Sequence, residues 1–207
     1  MSKLKSMVHL NGHVLCAIDL ETTGLRVGYH EICQIAILPL DANLEIRQDV
    51  PIFEQYIRPR FPQRIDSASV LVSKNVVAKA IESGHDAEIA QDLFEYWVGR
   101  LNLPLNKRII PLGSNYGYDR GFIQEWLGRE NYDHYFDSRG RDLMIVASFL
   151  NDRSDFQGVQ TPFNKVTLKY ICNRLGVETD ELRTHDAMYD AWLTAQCYKK
   201  LCLEYIE

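Results

Sequence analysis

The stretch CAIDLETTGL, residues 16–25, decides how this chain is expected to fold and act. An apolar run ends in two carboxylates, Asp19 and Glu21, and a Thr-Thr-Gly turn follows. Alternate residues of a β-strand share one face, so both carboxylates are predicted to project together, opposite Leu20. Two adjacent carboxylates repel each other and resist burial unless a cation compensates them. The pair is therefore a candidate site for a divalent metal such as Mg²⁺ or Mn²⁺, which prefer oxygen ligands.

The bulk composition fits one α/β domain with a sizeable core. The chain has 207 residues, of which 46% are hydrophobic and 25% charged. Its formal net charge of −5 argues against a protein that coats nucleic acid electrostatically, although local binding through metals stays open. Five cysteines without a Cys-x-x-Cys pair favour reduced core thiols. No apolar run approaches the ~20 residues of a membrane span, so a cytoplasmic protein without membrane contact is expected.

The hydrophobic pattern predicts strands first and mostly helices afterwards. Residues 14–20, 31–39 and 52–58 are predicted strands of a β-meander, and residues 107–112 form a later strand. Residues 66–83 are expected to form a loop with a short helix, and residues 151–164 a loop. Helices are expected at residues 86–101, 119–127, 142–150, 166–175 and 185–205. This order indicates one α/β domain with a mixed sheet.

Two further places carry carboxylates that deserve a functional interpretation. The stretch GSNYGYDRGF, residues 113–122, follows a strand and opens a helix with Asp119 near its first turn. Taken alone, Asp119 is better interpreted as a helix N-cap or a first-turn carboxylate. The stretch THDAMYDA, residues 184–191, contains His185, Asp186 and Asp190. Taken alone, these are a surface histidine, a helix cap and an exposed helix carboxylate.

Taken together, the three motifs closely resemble those of the histidine-containing DEDD (DEDDh) exonucleases. These include the proofreading epsilon subunit of bacterial DNA polymerase, ribonuclease T and oligoribonuclease. The resemblance rests on DLETTGL from Asp19, on Ser114-Asn115 with Asp119 four residues beyond Asn115, and on His185 five residues before Asp190. It extends over nearly the whole chain. Two departures, Ser114 in place of the usual His and Tyr118 in place of Phe, do not touch a carboxylate.

The resemblance implies a ribonuclease H-like, three-layer α/β fold with a mixed, mostly five-stranded sheet, in a single exonuclease domain over residues 1–207. It implies a two-metal 3′–5′ exonuclease that removes nucleotides from DNA or RNA. Asp19, Glu21, Asp119 and Asp190 would hold two Mg²⁺ or Mn²⁺ ions, with Asp19 bridging both. His185 would be the general base. The substrate-binding residues would be Thr22, Thr23, Gly24, Leu25, Asn115, Tyr118 and Phe122.

Several alternatives stay open at this stage. Leu25 is interpreted as a wedge against a base or as a buried turn leucine, on equal terms. The chemistry of two metals suits phosphodiester hydrolysis, because two cations can stabilise the attacking and leaving oxygens together. A catalytically silent nucleic-acid or polymerase-binding module with the same fold is the alternative function. The expected partner is a single-stranded 3′ end, with a DNA polymerase or a homodimer partner as further possibilities.

Overall fold

A computed structural model describes residues 6–204, without the side chains of residues 72, 74 and 204. The strands are β1 (Val14–Thr22), β2 (Ile32–Pro39), β3 (Phe53–Tyr56), β4 (Ile109–Gly113) and β5 (Arg141–Asp142). The helices are α1 (Ser67–Val72), α2 (Lys74–Ser83), α3 (Ala87–Arg100), α4 (Tyr116–Leu127), α5 (Arg129–Tyr135), α6 (Leu143–Phe156), α7 (Leu168–Leu175) and α8 (Ala187–Glu204). Short 3₁₀ helices occupy Val8–Leu10 and Pro62–Arg64.

The five strands form one mixed sheet in the order β3-β2-β1-β4-β5. The first three strands pair antiparallel, whereas β4 pairs parallel with β1 and β5 pairs parallel with β4. The strand β1 therefore lies at the centre, with neighbours on both edges. The prediction of an α/β fold with a mixed, five-stranded sheet flanked by helices is confirmed.

Side chains of β1 alternate between two hydrophobic layers. Val14, Cys16, Ile18 and Leu20 belong to a core cluster that includes residues of α3, α4 and α5. Leu15 and Ala17 instead pack in a cluster with α8. Because alternate residues share a face, Asp19 and Glu21 continue the row of Leu15 and Ala17 towards the carboxyl end of the strand.

The helix α8 approaches the sheet closely because it presents small residues to it. Ala187, Ala191 and Ala195 recur every four residues, are fully buried and contact the sheet cluster. A four-residue repeat places side chains on one helix face, and alanine lets that face lie near the strands. The close approach places the first turn of α8 beside the carboxyl end of β1.

Helices exceed the prediction in four places. Residues 66–83 form two helices rather than a loop and a short helix. The helix α4 begins three residues before Asp119, α5 was not predicted, and α6 continues six residues into the predicted loop at 151–164. Those six residues are mostly polar, and a helix tolerates such a stretch because its outer face is solvated. The predicted end of the last helix at residue 205 lies outside the described residues.

Within residues 6–204, no helix combines the length and the apolar character that crossing a bilayer requires.

Candidate metal centre

Most of the predicted site residues line an open cavity of about 360 Å³ at the carboxyl end of β1, whereas its lining does not include Thr23, Gly24, Asn115, Asp119 and Phe122. Seven of them contribute to its wall: Asp19, Glu21, Thr22, Leu25, Tyr118, His185 and Asp190. Asp66, Ala68, Ser69 and Ser73, from the segment between β3 and α2, also line the cavity. The structure thus brings together residues that are up to 171 positions apart in the chain.

Two helices deliver the remaining carboxylates from their first turns. The helix α4 begins just after β4, the parallel neighbour of β1, and carries the buried Asp119 in its first turn. The helix α8 carries Asp190 in its first turn. Helix N-termini hold partial positive charge, which favours carboxylates at these positions. The N-cap of α4 is Asn115, so Asp119 is the first-turn carboxylate rather than the cap of this helix.

Burial raises the pKa values of all four carboxylates, and nearby carboxylates raise them further. Burial raises the pKa of Asp19 well above its usual range, and repulsion from Asp119, then Asp190 and Glu21, raises it further. Burial raises the pKa of Glu21 to about 7, against the lowering effect of a hydrogen bond from Ser73. The negative charge of neighbouring carboxylates therefore makes the ionised form of Asp19 and Glu21 less favourable.

Asp190 and Asp119 follow the same pattern with local compensation. Burial raises the pKa of Asp190 to about 6, although the backbone N–H of His185 lowers it. Burial also raises the pKa of Asp119 well above its usual range, while backbone N–H groups of Asp119 and Leu20 act in the opposite direction. The centre is thus electrostatically strained whenever its carboxylates are ionised without a cation.

The donor set fits a divalent metal. Glu21, His185 and Asp190 each offer a ligand atom, and these three atoms lie within 4.8 Å of one another. Among residues 6–204, no lysine or arginine forms an ion pair with the four carboxylates. Mutually repelling carboxylates without a basic partner suit hard cations such as Mg²⁺ or Mn²⁺.

His185 occupies an unusual backbone conformation just before α8. Its φ is +63°, in the left-handed region that non-glycine residues rarely adopt. Its backbone N–H donates to Asp190 Oδ2 at 3.3 Å, and its side chain is exposed beside the cavity. Such strain persists where the surrounding structure holds it, often at functional sites.

The turn after β1 is fixed by its own hydroxyl groups. Thr22 Oγ1 donates to the carbonyl of Gly24 at 2.8 Å and lies 2.8 Å from Tyr118 Oη. Thr23 Oγ1 accepts the backbone N–H of Glu31 at 2.9 Å. Glycine is needed at position 24, because a Cβ there would lie 2.5 Å from the imidazole of His30.

Three predicted substrate-binding residues lie in contrasting surroundings. Leu25 is 78% exposed and lines the cavity, so the alternative of a buried turn leucine is wrong. Phe122 is only 1% exposed and packs in the core, where its ring contacts Tyr118; its substrate-binding role is corrected to a core role. Asn115 is exposed in the left-handed conformation at the start of α4, and it is not part of the cavity wall.

Two polar residues of the centre were missed by sequence reasoning. Ser73, at the junction of α1 and α2, is buried and donates to Glu21 Oε2 at 2.5 Å. Asp186, predicted only as a possible cap, accepts the N–H of Tyr189 and also raises the pKa values of Asp19, Glu21 and Asp190. Asp186 was recognisable as a cap, but no local signal relates Ser73 to a residue 52 positions away.

A family model of exonucleases, that of the RNase T family, matches residues 16–198, which include all three motifs and nearly all of the described fold. The chain belongs to this exonuclease family. The predicted membership among DEDDh-type 3′–5′ exonucleases is confirmed as the family of this enzyme.

Curated relatives of this exonuclease are bacterial oligoribonucleases. The chain is 30% identical to the oligoribonuclease of Aliivibrio fischeri over 133 residues, which cover 61% of this chain and 70% of the relative. It is 34% identical to the oligoribonuclease of Klebsiella pneumoniae over 134 residues, covering 60% and 70% respectively.

Solved nuclease structures share the fold at low sequence identity. The nuclease domain of 3′hExo, described as a DEDDh family member bound to rAMP, superposes with a TM-score of 0.66 at 17% identity, covering 92% of both chains. Cell-death related nuclease 4 (CRN-4) gives a TM-score of 0.70 at 18% identity. That match covers 92% of this chain, which spans only 64% of CRN-4. At these identities the likeness shows the fold alone.

Proposed function

We propose that residues 1–207 form one exonuclease domain that removes nucleotides from a single-stranded 3′ end with the help of two divalent cations. Asp19, Glu21, Asp119 and Asp190 would hold two Mg²⁺ or Mn²⁺ ions, and His185 would act as the general base. The observation that carries the proposal is the convergence of four carboxylates with raised pKa values and no basic partner among residues 6–204.

Bound cations would stabilise the negative charge that develops on the attacking and leaving oxygens of the phosphodiester. An imidazole nitrogen of His185 would take a proton from the attacking water, as histidine side chains commonly do in general base catalysis. The left-handed backbone conformation of His185 would set the position from which its imidazole approaches the cavity. Water would add to phosphorus, the bond to the 3′ oxygen would break, and a nucleoside 5′-monophosphate would leave.

The turn after β1 would seat the terminal nucleotide. Thr22 and Thr23 use their hydroxyls to hold the turn, so their contribution would be to shape it. Leu25, exposed at the cavity rim, would wedge against a base. Tyr118 would border the sugar or base from α4, because its hydroxyl is held against Gly24 at 3.1 Å.

Short RNA is the substrate class we favour. The curated relatives carry the name oligoribonuclease, which favours RNA over DNA as the substrate. A DNA polymerase partner, a homodimer and a cytoplasmic location stay predictions for this chain.

The test is Mg²⁺-dependent release of mononucleotides by Asp19→Asn and Asp190→Asn variants. Each is expected to lose at least about 10³-fold in turnover, since each removes a cation ligand from a two-cation site. Asp152→Asn is the matched control, because Asp152 is an exposed carboxylate on α6. Full activity in both ligand variants contradicts the assignment. An inactive wild type that binds no Mn²⁺ in calorimetry supports the catalytically silent module instead.

Matched 3′-labelled substrates test the substrate class. Single-stranded RNA of two to eight nucleotides should be cleaved faster than DNA of the same sequence, and both faster than duplex ends. Faster cleavage of duplex DNA would favour a proofreading role and overturn the preference for short RNA.

A further inference from the structure

A ladder of arginines and aromatic rings lies beside the cavity. It consists of Arg26, Tyr29, Arg60, Phe61 and Arg64, here called the arginine–aromatic surface. The guanidinium carbon of Arg26 lies 3.9 Å from the ring centroid of Tyr29. The guanidinium carbon of Arg64 lies 5.0 Å from the Tyr29 centroid and 4.0 Å from that of Phe61, so it joins two chain segments.

Both segments of this surface continue directly from the cavity wall. Arg26 follows Leu25, and Arg64 lies two residues before Asp66; Leu25 and Asp66 both line the cavity. The backbone N–H of Asp66 donates to the carbonyl of Thr23 at 2.8 Å, which holds the second segment against the turn after β1. The arginine–aromatic surface therefore begins where the cavity ends.

Positive charge is left available on this surface. Arg60 is paired with Glu31, its Nε lying 3.2 Å from Glu31 Oε1. Arg26 and Arg64 form no ion pair within residues 6–204. No described carboxylate neutralises these two guanidinium groups in an ion pair, although the chain has a net charge of −5. Phosphate groups could therefore pair with them without first displacing a carboxylate.

We propose that the arginine–aromatic surface binds the nucleotides upstream of the 3′ end, so that it sets the affinity for strands longer than a dinucleotide. This deepens the proposed function and rests on it. A guanidinium stacked on a ring keeps its N–H edges free, and those edges suit phosphate oxygens. Tyr29 and Phe61 are each 37% exposed, which leaves ring surface for a base to stack on.

The competing explanation is that the ladder only braces the turn. Cations stacked on aromatic rings stabilise folded segments without any ligand. A brace predicts a change in melting temperature and no change in salt dependence. A binding surface predicts that the arginines contribute to counterion release when a strand binds.

The experiment measures binding of a 5′-fluorescent octaribonucleotide by anisotropy, with Mg²⁺ present and in an Asp19→Asn background that prevents turnover. The variant is Arg26→Gln with Arg64→Gln, and Arg26→Lys with Arg64→Lys retains charge without the planar stack. Arg100→Gln is the matched control, because Arg100 is an exposed arginine at the end of α3. Affinity is measured between 50 and 200 mM KCl, and melting temperatures are recorded for each protein.

Two phosphate contacts on a single strand contribute a slope of about −1.4 to log Kobs against log salt. The slope of the Gln variant should be shallower than that of the parent by about 1.4. When KCl is raised from 50 to 200 mM, the affinity of the Gln variant should therefore fall about sevenfold less than that of the parent. Its affinity at 50 mM should fall more for the octamer than for a dinucleotide. The Lys variant should keep the slope and lose part of the affinity, and Arg100→Gln should match the parent.

Equal octamer affinity and equal slope in the parent and the Gln variant overturn the proposal, whatever happens to the melting temperature. Equal losses for octamer and dinucleotide also overturn it, because they place the arginines at the terminal nucleotide. Failure of the proposed function is a separate result, since a wild type without turnover can still show salt-dependent octamer binding through this surface.

Discussion

The two faces of β1 have opposite fates although they belong to one strand. One face carries Val14, Cys16, Ile18 and Leu20, all buried against α3, α4 and α5. The other begins with Leu15 and Ala17 on the alanines of α8 and ends with Asp19 and Glu21 in a cavity. The first face is apolar from Val14 to Leu20, whereas the second changes from core to charged site between Ala17 and Asp19.

The difference teaches where a fold can accept charge. Asp19 and Glu21 stand at the end of their row, where two helices direct their first turns towards the carboxylates and the cavity admits solvent or a cation. Ile18, one position away, is fully buried in the apolar core cluster on the other face of the sheet. The apolar face should therefore contribute stability, and the acidic end should reduce it when no cation is bound.

Truncating the apolar face should give the largest change in stability. Ile18→Ala removes a fully buried side chain and leaves a cavity, so the free energy of unfolding should fall by about 2–5 kcal/mol. Urea unfolding measures the change. Ile145→Ala is the matched control, because Ile145 is 68% exposed on α6 and should change stability by no more than about 0.5 kcal/mol. Similar losses in both variants would contradict the contrast.

The acidic end should show the opposite sign in its dependence on pH. Glu21 has a pKa of about 7 in the folded protein against an ordinary value of 4.5. The folded state therefore holds a proton that the unfolded state has released between these pH values. The free energy of unfolding of the metal-free protein should fall as pH rises from 4.5 to about 7, by an amount on the order of 3 kcal/mol.

Glu21→Gln isolates this effect, because Gln does not titrate. With EDTA present, the variant should equal the wild type near pH 4.5 and become more stable than it above pH 7. Thermal unfolding across this range measures the difference, and Glu130→Gln, an exposed carboxylate of α5, should follow the wild type. A wild type that gains stability relative to Glu21→Gln as pH rises would refute the electrostatic account.

The smallest expected effect lies at Ser73. Its hydroxyl donates to Glu21 and lowers the pKa of that carboxyl, so Ser73→Ala should raise this pKa further. Losing the hydrogen bond should weaken Mn²⁺ binding at pH 7 by about tenfold, which equals about 1.4 kcal/mol. Calorimetry tests this, with Ser83→Ala as the control, because Ser83 donates only to the Lys79 carbonyl. Unchanged Mn²⁺ affinity would show that Ser73 does not position Glu21.

Local periodicity carried the strand predictions, and longer-range contacts limited the others. The observed β1, β2 and β4 lie close to their predicted ranges, because short apolar runs bounded by turn residues are typical of buried strands. The two-residue strand β5 was not predicted, since it exists only through pairing with β4. Phe122 was assigned to substrate from its motif, but packing against Tyr118 buries it.

The sequence by itself determined that Asp19 and Glu21 share a face, that this face ends in a turn, and which further carboxylates accompany them. The shared face follows from the two-residue period of a strand. The further carboxylates were identified from the order and spacing of the motifs. Only the tertiary structure decided that Ser73 reaches Glu21, that Leu25 is exposed, and that Arg64 joins Tyr29 to Phe61. Those contacts join segments that are distant in the chain, and packing of the whole fold sets them.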